Sequence, residues 1–251
     1  MNKAFISVLV VLFATTTTGL AQREVLGSPT GINAALSKLF GDVKAFSAKS
    51  DVRVLGQDQK EKVTAQMDFA LLDEKIRVEV DMTRMRNKAV PGDSAVNMKQ
   101  FGMDRVVSII RPDKKATYII FPGMQSYVNM PMSKQELESY QKNSKVEKTA
   151  LGKETLDGHP CVKNKIVITD DQGGKYEATV WNATDLKDFP VQIQTTENND
   201  TVLLRYRQIQ LAKPEAKQFE PPADFKAYDD IQLLMQGAMM KMMSEGGMPK
   251  P

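Results

Sequence analysis

Hydrophobic and polar positions alternate along most of this chain, and the alternation starts near Ala45. Val52 and Val54 alternate with Asp51 and Arg53. After a polar turn at Gly56–Lys62, Ala65, Met67, Phe69 and Leu71 alternate with Thr64, Gln66 and Asp68. Asp73-Glu74-Lys75 turns the chain, and Ile76, Val78 and Val80 then alternate with Arg77, Glu79 and Asp81. A period of two with one apolar and one charged face predicts half-buried strands. Thr83–Met103 breaks the pattern with Pro91-Gly92-Asp93 and predicts a loop with a short helix.

The stretch Asp104–Met132 is the densest in strand formers. Val106, Val107, Ile109 and Ile110 form one run, Tyr118 to Phe121 a second, and Tyr127, Val128 and Met130 a third. Pro112-Asp113-Lys114-Lys115 and Pro122-Gly123 separate them. Pro presets φ for a turn, and Asp bonds its own backbone two residues on. The three runs predict an antiparallel meander.

Further on, Lys145–Gly158 predicts a short strand and a Gly turn, and Cys161–Thr169 a strand. Asp170–Gly174 is a hairpin signal. Tyr176, Ala178 and Val180 share one face, with Trp181 on the other. Val191 and Ile193 follow Pro190, and Thr201–Leu211 alternates again after Asn198-Asn199-Asp200. Residues 214–226 are Pro-rich and read as irregular. Roughly eleven strands at short spacing predict one strongly curved antiparallel sheet.

Three segments switch to helical spacing. Ile32, Ala35, Leu36, Leu39 and Phe40 predict an amphipathic helix over 31–41. SKQELESYQK (133–142) predicts a second, opened by a Ser133–Glu136 capping box. Ile231–Met243 predicts a third, before a Gly/Pro tail.

The first residues carry an address. Met1-Asn2-Lys3 is basic, Ala4–Ala14 is apolar but too short to span a bilayer, and Gly19-Leu20-Ala21 fits a signal-peptidase site. The expectation is export, to the periplasm or beyond, with residues 1–21 removed. No Cys follows that site, which argues against a lipid-anchored form. The mature chain carries no second apolar run of membrane-spanning length.

Composition narrows the classes. The 251 residues are 41% apolar and 26% charged, ordinary for a globular protein. The net charge of +3 is spread along the chain, which argues against a nucleic-acid groove. His159 is the only histidine and Cys161 the only cysteine. Together they offer a metal or thiolate pair, or, in the commoner case, a turn imidazole and a buried structural thiol. No acid/base pair or nucleophile constellation stands out, so the chain reads as non-enzymatic and without a cofactor. Asp170–Gly174 lacks the ligand spacing of a calcium loop. The Asn182 and Asn199 glycan-acceptor triplets read as chance.

Methionine is the unusual feature. Met235, Met239, Met240, Met242, Met243 and Met248 crowd the last helix and tail. Packing, partner docking and Cu(I) binding all suit thioethers. Leu234, Met235, Met239 and Met242 are the candidate docking residues. The other resource is the apolar strand face: Met67, Phe69, Leu71, Ile76, Val78, Val80, Ile110, Ile119 and Val128 are candidates to line a ligand cavity, or to form a filled core.

The order of elements, a leader, an amphipathic helix and a long meander with a helical insertion, resembles the LolA/LolB lipoprotein-carrier superfamily. RPDKKATYIIFPGMQSYVNMP (111–131), LGKETLDGHPC (151–161), YEATVWNATDLKDFPVQIQ (176–194) and FEPPADFKAY (219–228) are similar to an uncharacterised secreted bacterial family of that superfamily. The resemblance covers roughly residues 30–228 and implies a mainly β fold. That fold is a curved antiparallel sheet forming an unclosed LolA-like β-barrel, its concave face covered by helices and open to acyl chains. Residues 229–251 then form a Met-rich helix and tail outside that pattern. The carriers' basic gating residue has no counterpart here. The leading expectation is an exported binder of a lipid or acyl chain. The alternatives are an envelope interaction or stress-sensing module with a packed barrel, and copper binding by the tail.

Overall fold

The computed structural model describes residues 34–88, 98–141, 144–169 and 173–244. The expected leader, the Asp170-Asp171-Gln172 part of the hairpin and the tail beyond Ser244 lie outside the described residues.

Among the described residues thirteen strands form one sheet. They are β1 (Ala45–Leu55), β2 (Glu61–Leu72), β3 (Lys75–Asp81), β4 (Arg86–Asn87), β5 (Arg105–Arg111), β6 (Ala116–Phe121) and β7 (Ser126–Pro131). They continue as β8 (Lys145–Leu156), β9 (His159–Thr169), β10 (Lys175–Ala183), β11 (Phe189–Glu197), β12 (Asp200–Gln210) and β13 (Lys226–Tyr228). The order is β13-β7-β6-β5-β3-β2-β1-β12-β11-β10-β9-β8, with β4 on β2. Pairings are antiparallel except β13 with β7. Among the described residues the order has two ends, so the barrel is unclosed, as the motif order implied.

Alternation sets the faces. In β1 and β3 every second residue is buried, and Met67, Phe69 and Leu71 of β2 join them on the same side. Among the described residues three helices contribute to the inner cluster: α1 (Ala34–Lys38) through Leu36, α2 (Lys134–Gln141) through Tyr140 and α3 (Ile231–Ser244) through Leu234. The described part of α1 is shorter than the expected 31–41, and it leaves Leu36, Leu39 and Phe40 buried. The capping box of α2 forms as expected. Glu136 N donates to Ser133 Oγ at 3.2 Å, and Ser133 N donates to Glu136 Oε2 at 2.6 Å.

The structure corrects three local expectations. Lys145–Leu156 is a full twelve-residue edge strand rather than a short one, exposed along nearly its whole length. Buried alternation could not reveal it; its lysines suit an edge that must not recruit another strand. Asp113 does not bond its own backbone two residues on in the first meander turn; its carboxylate takes two hydrogen bonds, both 2.8 Å, from Arg111. Residues 214–226 are also not simply irregular. A 3-10 turn at Ala216–Phe219 lays Phe219 against the outer face, where it is fully buried beside Ala70, Leu72, Val107, Ile109 and Ile120.

Candidate ligand-binding face

The nine cavity candidates come from five strands and meet on one face. Met67, Phe69 and Leu71 of β2, Ile76, Val78 and Val80 of β3, Ile110 of β5, Ile119 of β6 and Val128 of β7 are all buried in one apolar cluster. Register explains the meeting. Phe69 lies across from Val78, Ile76 from Ile110, and Ile119 from Val128. Each is an inward position of an antiparallel pair, so one row of side chains runs across the sheet.

An aromatic cluster occupies this face where α1 enters. Phe46 stacks on Phe69 with ring centroids 5.3 Å apart, and Phe40, Phe189 and Tyr206 close around them at 4.7–6.1 Å. Such edge and stacked pairs add about 0.5–1.5 kcal/mol each beyond area burial. Methionines gather elsewhere on the face. Met82, Met98 and Met103 are buried, and Met85, Met124, Met130, Met132 and Met235 pack partly buried around them. Unbranched thioethers reshape readily around an apolar guest. Sequence periodicity picked out Met130 and Met235 but missed the rest, which lies in turns and in the 82–103 segment, where no period exists.

The face also carries polar points that apolar patterning did not flag. Ser108 Oγ and Tyr206 Oη are buried without a hydrogen-bond partner among the described residues. Glu197, two residues on from Thr195 in β11, has a buried, unpaired Oε1. Loss of solvent pushes its carboxyl up to about 8, so it is largely protonated at neutral pH. Burial also raises the Tyr206 phenol well above its ordinary value.

Helix α3 divides the docking candidates. Leu234 is buried in the cluster and anchors the helix, with Met235 partly buried beside it. Met239 is 64% exposed, as are Met240 at 67% and Leu233 at 46%. Met242 lies in α3, and its side chain lies outside the described residues. Among the described residues no helix is long and apolar enough to cross a membrane.

His159 and Cys161 do not converge on one centre. His159 Nδ1 lies 2.8 Å from Asp185 Oδ2, while the buried Cys161 thiol donates to the His159 carbonyl oxygen at 3.3 Å. Burial raises the Cys161 thiol pKa, which disfavours the reactive thiolate.

The motif residues are used by the fold. Trp181 Nε1 donates to Glu154 Oε1 at 2.6 Å, joining LGKETLDGHPC to the tryptophan strand, and Lys163 sits 4.8 Å over the indole. Asn182 accepts from Asn164 at 2.9 Å and donates to the Asp188 carbonyl at 2.8 Å, bracing the β10–β11 turn.

Fold and face together define an open antiparallel half-barrel with a helix-covered apolar interior. The model of the family described as Domain of unknown function (DUF4412) matches residues 57–189, and the chain belongs to that family. No curated protein matches. Solved structures similar to it include a LolA superfamily protein from Nitrosomonas europaea (9% identity, 73% of this chain and 93% of that one, TM-score 0.38). Lipoprotein LppX of Mycobacterium tuberculosis is similar at 17% identity, over 70% of this chain and 93% of that one, with TM-score 0.36. A chain of the Pseudomonas aeruginosa MucA/MucB complex is similar at 10% identity, over 78% of this chain and 62% of that one, with TM-score 0.37.

Proposed function

We propose that this chain is a non-enzymatic, exported binding protein that takes a lipid or acyl chain against the inner face of its half-barrel. One observation supports the reading: five adjacent strands present a continuous buried apolar face, and residues of three helices pack into the same cluster. Elements that open for ligands are drawn from the less stable parts of a fold, and Leu234 is the buried anchor of α3. Each CH₂ buried there contributes about 0.8 kcal/mol, so a long acyl chain gains enough to offset the opening. The unpaired hydroxyls of Ser108 and Tyr206 offer hydrogen bonds to a polar head.

The test is native mass spectrometry on protein exported with its own leader and purified without detergent. Adducts of lipid mass, displaced by added fatty acid, support the reading. A clean apo mass with no gain on adding lipids overturns it. The apo mass also reports whether cleavage falls after Ala21. A second reading has its own observation. Exposed Leu233, Met239 and Met240 on α3 suit an envelope protein partner or a sensing role, with the barrel staying packed. Removing residues 229–251 separates the two, since lipid capture by the barrel then persists and partner docking does not. Copper binding by the tail predicts a Cu(I) adduct lost with the same truncation.

A further inference from the structure

A charged cleft lies on the opposite side of the sheet. A cleft of about 790 Å³ opens on the outer face of β1, β2, β4 and β12, lined by five arginines against two carboxylates. Three of the arginines are already paired. Arg207 Nε sits 2.9 Å from Asp51, Arg205 Nε 2.9 Å from Asp157, and Arg84 Nε 3.2 Å from Asp81. The other two differ. Arg53 approaches Glu61 only at 3.7 Å, beyond hydrogen-bond distance, and Arg86 has no acidic partner among the described residues.

Register places those two together. Arg53 of β1 lies directly across from Thr64 of β2, and Thr64 lies directly across from Arg86 of β4. Two strand spacings, about 10 Å, separate the two arginine backbones, with a hydroxyl between them. Arg53, Thr64 and Arg86 all line the same cleft. Two like charges flanking one position repel each other unless an anion sits between them. Planar guanidinium forks match the oxygens of a phosphate, and a cleft of one sign concentrates such ligands.

We propose that the Arg53–Thr64–Arg86 row is a binding site for a phosphate group. Arg53 and Arg86 clamp its oxygens and the Thr64 hydroxyl donates a third hydrogen bond. The site stands on the outer face and does not depend on lipid capture by the inner one. The same chemistry is presented by a free phosphate compound and by a phospholipid headgroup, and the volume accommodates either.

The experiment is calorimetric titration of the full exported chain with inorganic phosphate and glycerol phosphate, beside flotation with phosphatidic acid vesicles against phosphatidylcholine vesicles. Arg53→Ala and Arg86→Ala are compared with Lys165→Ala, an outer-face lysine paired with Glu177 outside the cleft. The expected result is binding that falls at least tenfold in both arginine variants and is unchanged in the lysine variant, with Arg86→Lys intermediate. Heat with the soluble phosphates assigns a free ligand; binding to phosphatidic acid vesicles alone assigns a headgroup. Absence of binding to all probes at low salt, or equal binding by wild type and both arginine variants, overturns the site. Circular dichroism melts of the variants confirm that the fold is kept, as expected for exposed positions.

Discussion

Arg111 Nη1 donates to the backbone carbonyl of Phe219 at 2.9 Å, across 108 residues of sequence. The same guanidinium bonds Glu220, and its other edge bonds Asp113. One side chain therefore ties the first meander turn to the segment that seals the outer face. Phe219 is the plug that this tie holds in place over Ile109 and Ile120. The hydrogen bonds to both carboxylates raise the Arg111 pKa further, so it stays charged throughout the accessible pH range.

Replacing either partner should loosen the C-terminal strap. Arg111→Ala strands a buried carbonyl and frees two carboxylates, at about 2–4 kcal/mol. Phe219→Ala opens a cavity in the small outer core, at about 3 kcal/mol. The double variant should fall short of the sum by more than about 0.5 kcal/mol, because the two act through one contact. Urea denaturation of the three variants measures this, and strict additivity would refute the coupling.

Tyr206 supplies a sharper test of the inner face. Its ring packs among Phe40, Phe46, Phe69 and Phe189, and its buried hydroxyl has no hydrogen-bond partner among the described residues. Tyr206→Phe removes an unsatisfied polar group at almost constant volume, so the free protein should gain about 1 kcal/mol. The same change should weaken capture of a lipid with a hydroxyl or carbonyl head while leaving a plain alkane probe unaffected. A thermal melt and a competition assay read the two effects separately.

Glu197 makes stability depend on pH in an uncommon direction. Its carboxyl is pushed up to about 8 in the folded chain, while an unfolded glutamate titrates near about 4.3. Between those values the folded chain keeps the proton and the unfolded chain releases it. Stability from this group is therefore full at the acid end of the window, declines as pH rises, and levels off above pH 8. The side chain is only partly buried, so the effect is discounted to the order of 1 kcal/mol. Glu197→Gln should flatten the fall in melting temperature between pH 5 and pH 8. An equal slope in variant and wild type would refute it.

How much of this was legible follows from where each residue sits. Met67 to Val80 announced their face because a half-buried antiparallel strand writes burial into a period of two. Trp181, Arg111 and Phe219 stood in recognisable motifs, yet their roles were not legible, since each depends on a partner from 27 to 108 residues away. The edge strand β8 was partly lost because an exposed strand has no buried face to alternate. The phosphate row was wholly hidden. Arg53, Thr64 and Arg86 become neighbours only through the pairing of three strands, and no local pattern marks them. The family motifs specify joints of the scaffold and lend the inner face Ile119 and Val128, whereas the outer cleft is drawn from residues outside them.

Gly237 tests whether α3 is a seated cover. A Cβ at this position would stand 2.4 Å from the Tyr228 hydroxyl oxygen and 3.1 Å from its ring, so the helix sits on β13 only because the side chain is missing. Gly237→Ala should be tolerated by helix propensity, which favours Ala by about 1 kcal/mol, but opposed by this overlap. The overlap is with a ring held by β13 rather than with a flexible chain end, so the net effect should be a loss of about 1 kcal/mol or more and a lifted helix. Gly237→Val should cost more. If α3 covers the apolar face, both variants should speed the uptake and release of a fluorescent fatty acid, and limited proteolysis should cut α3 first. Tyr228→Ala in the Gly237→Ala background removes the obstacle, and helix protection should return. Unchanged exchange rates in all three variants would show that α3 rests outside the path of any ligand.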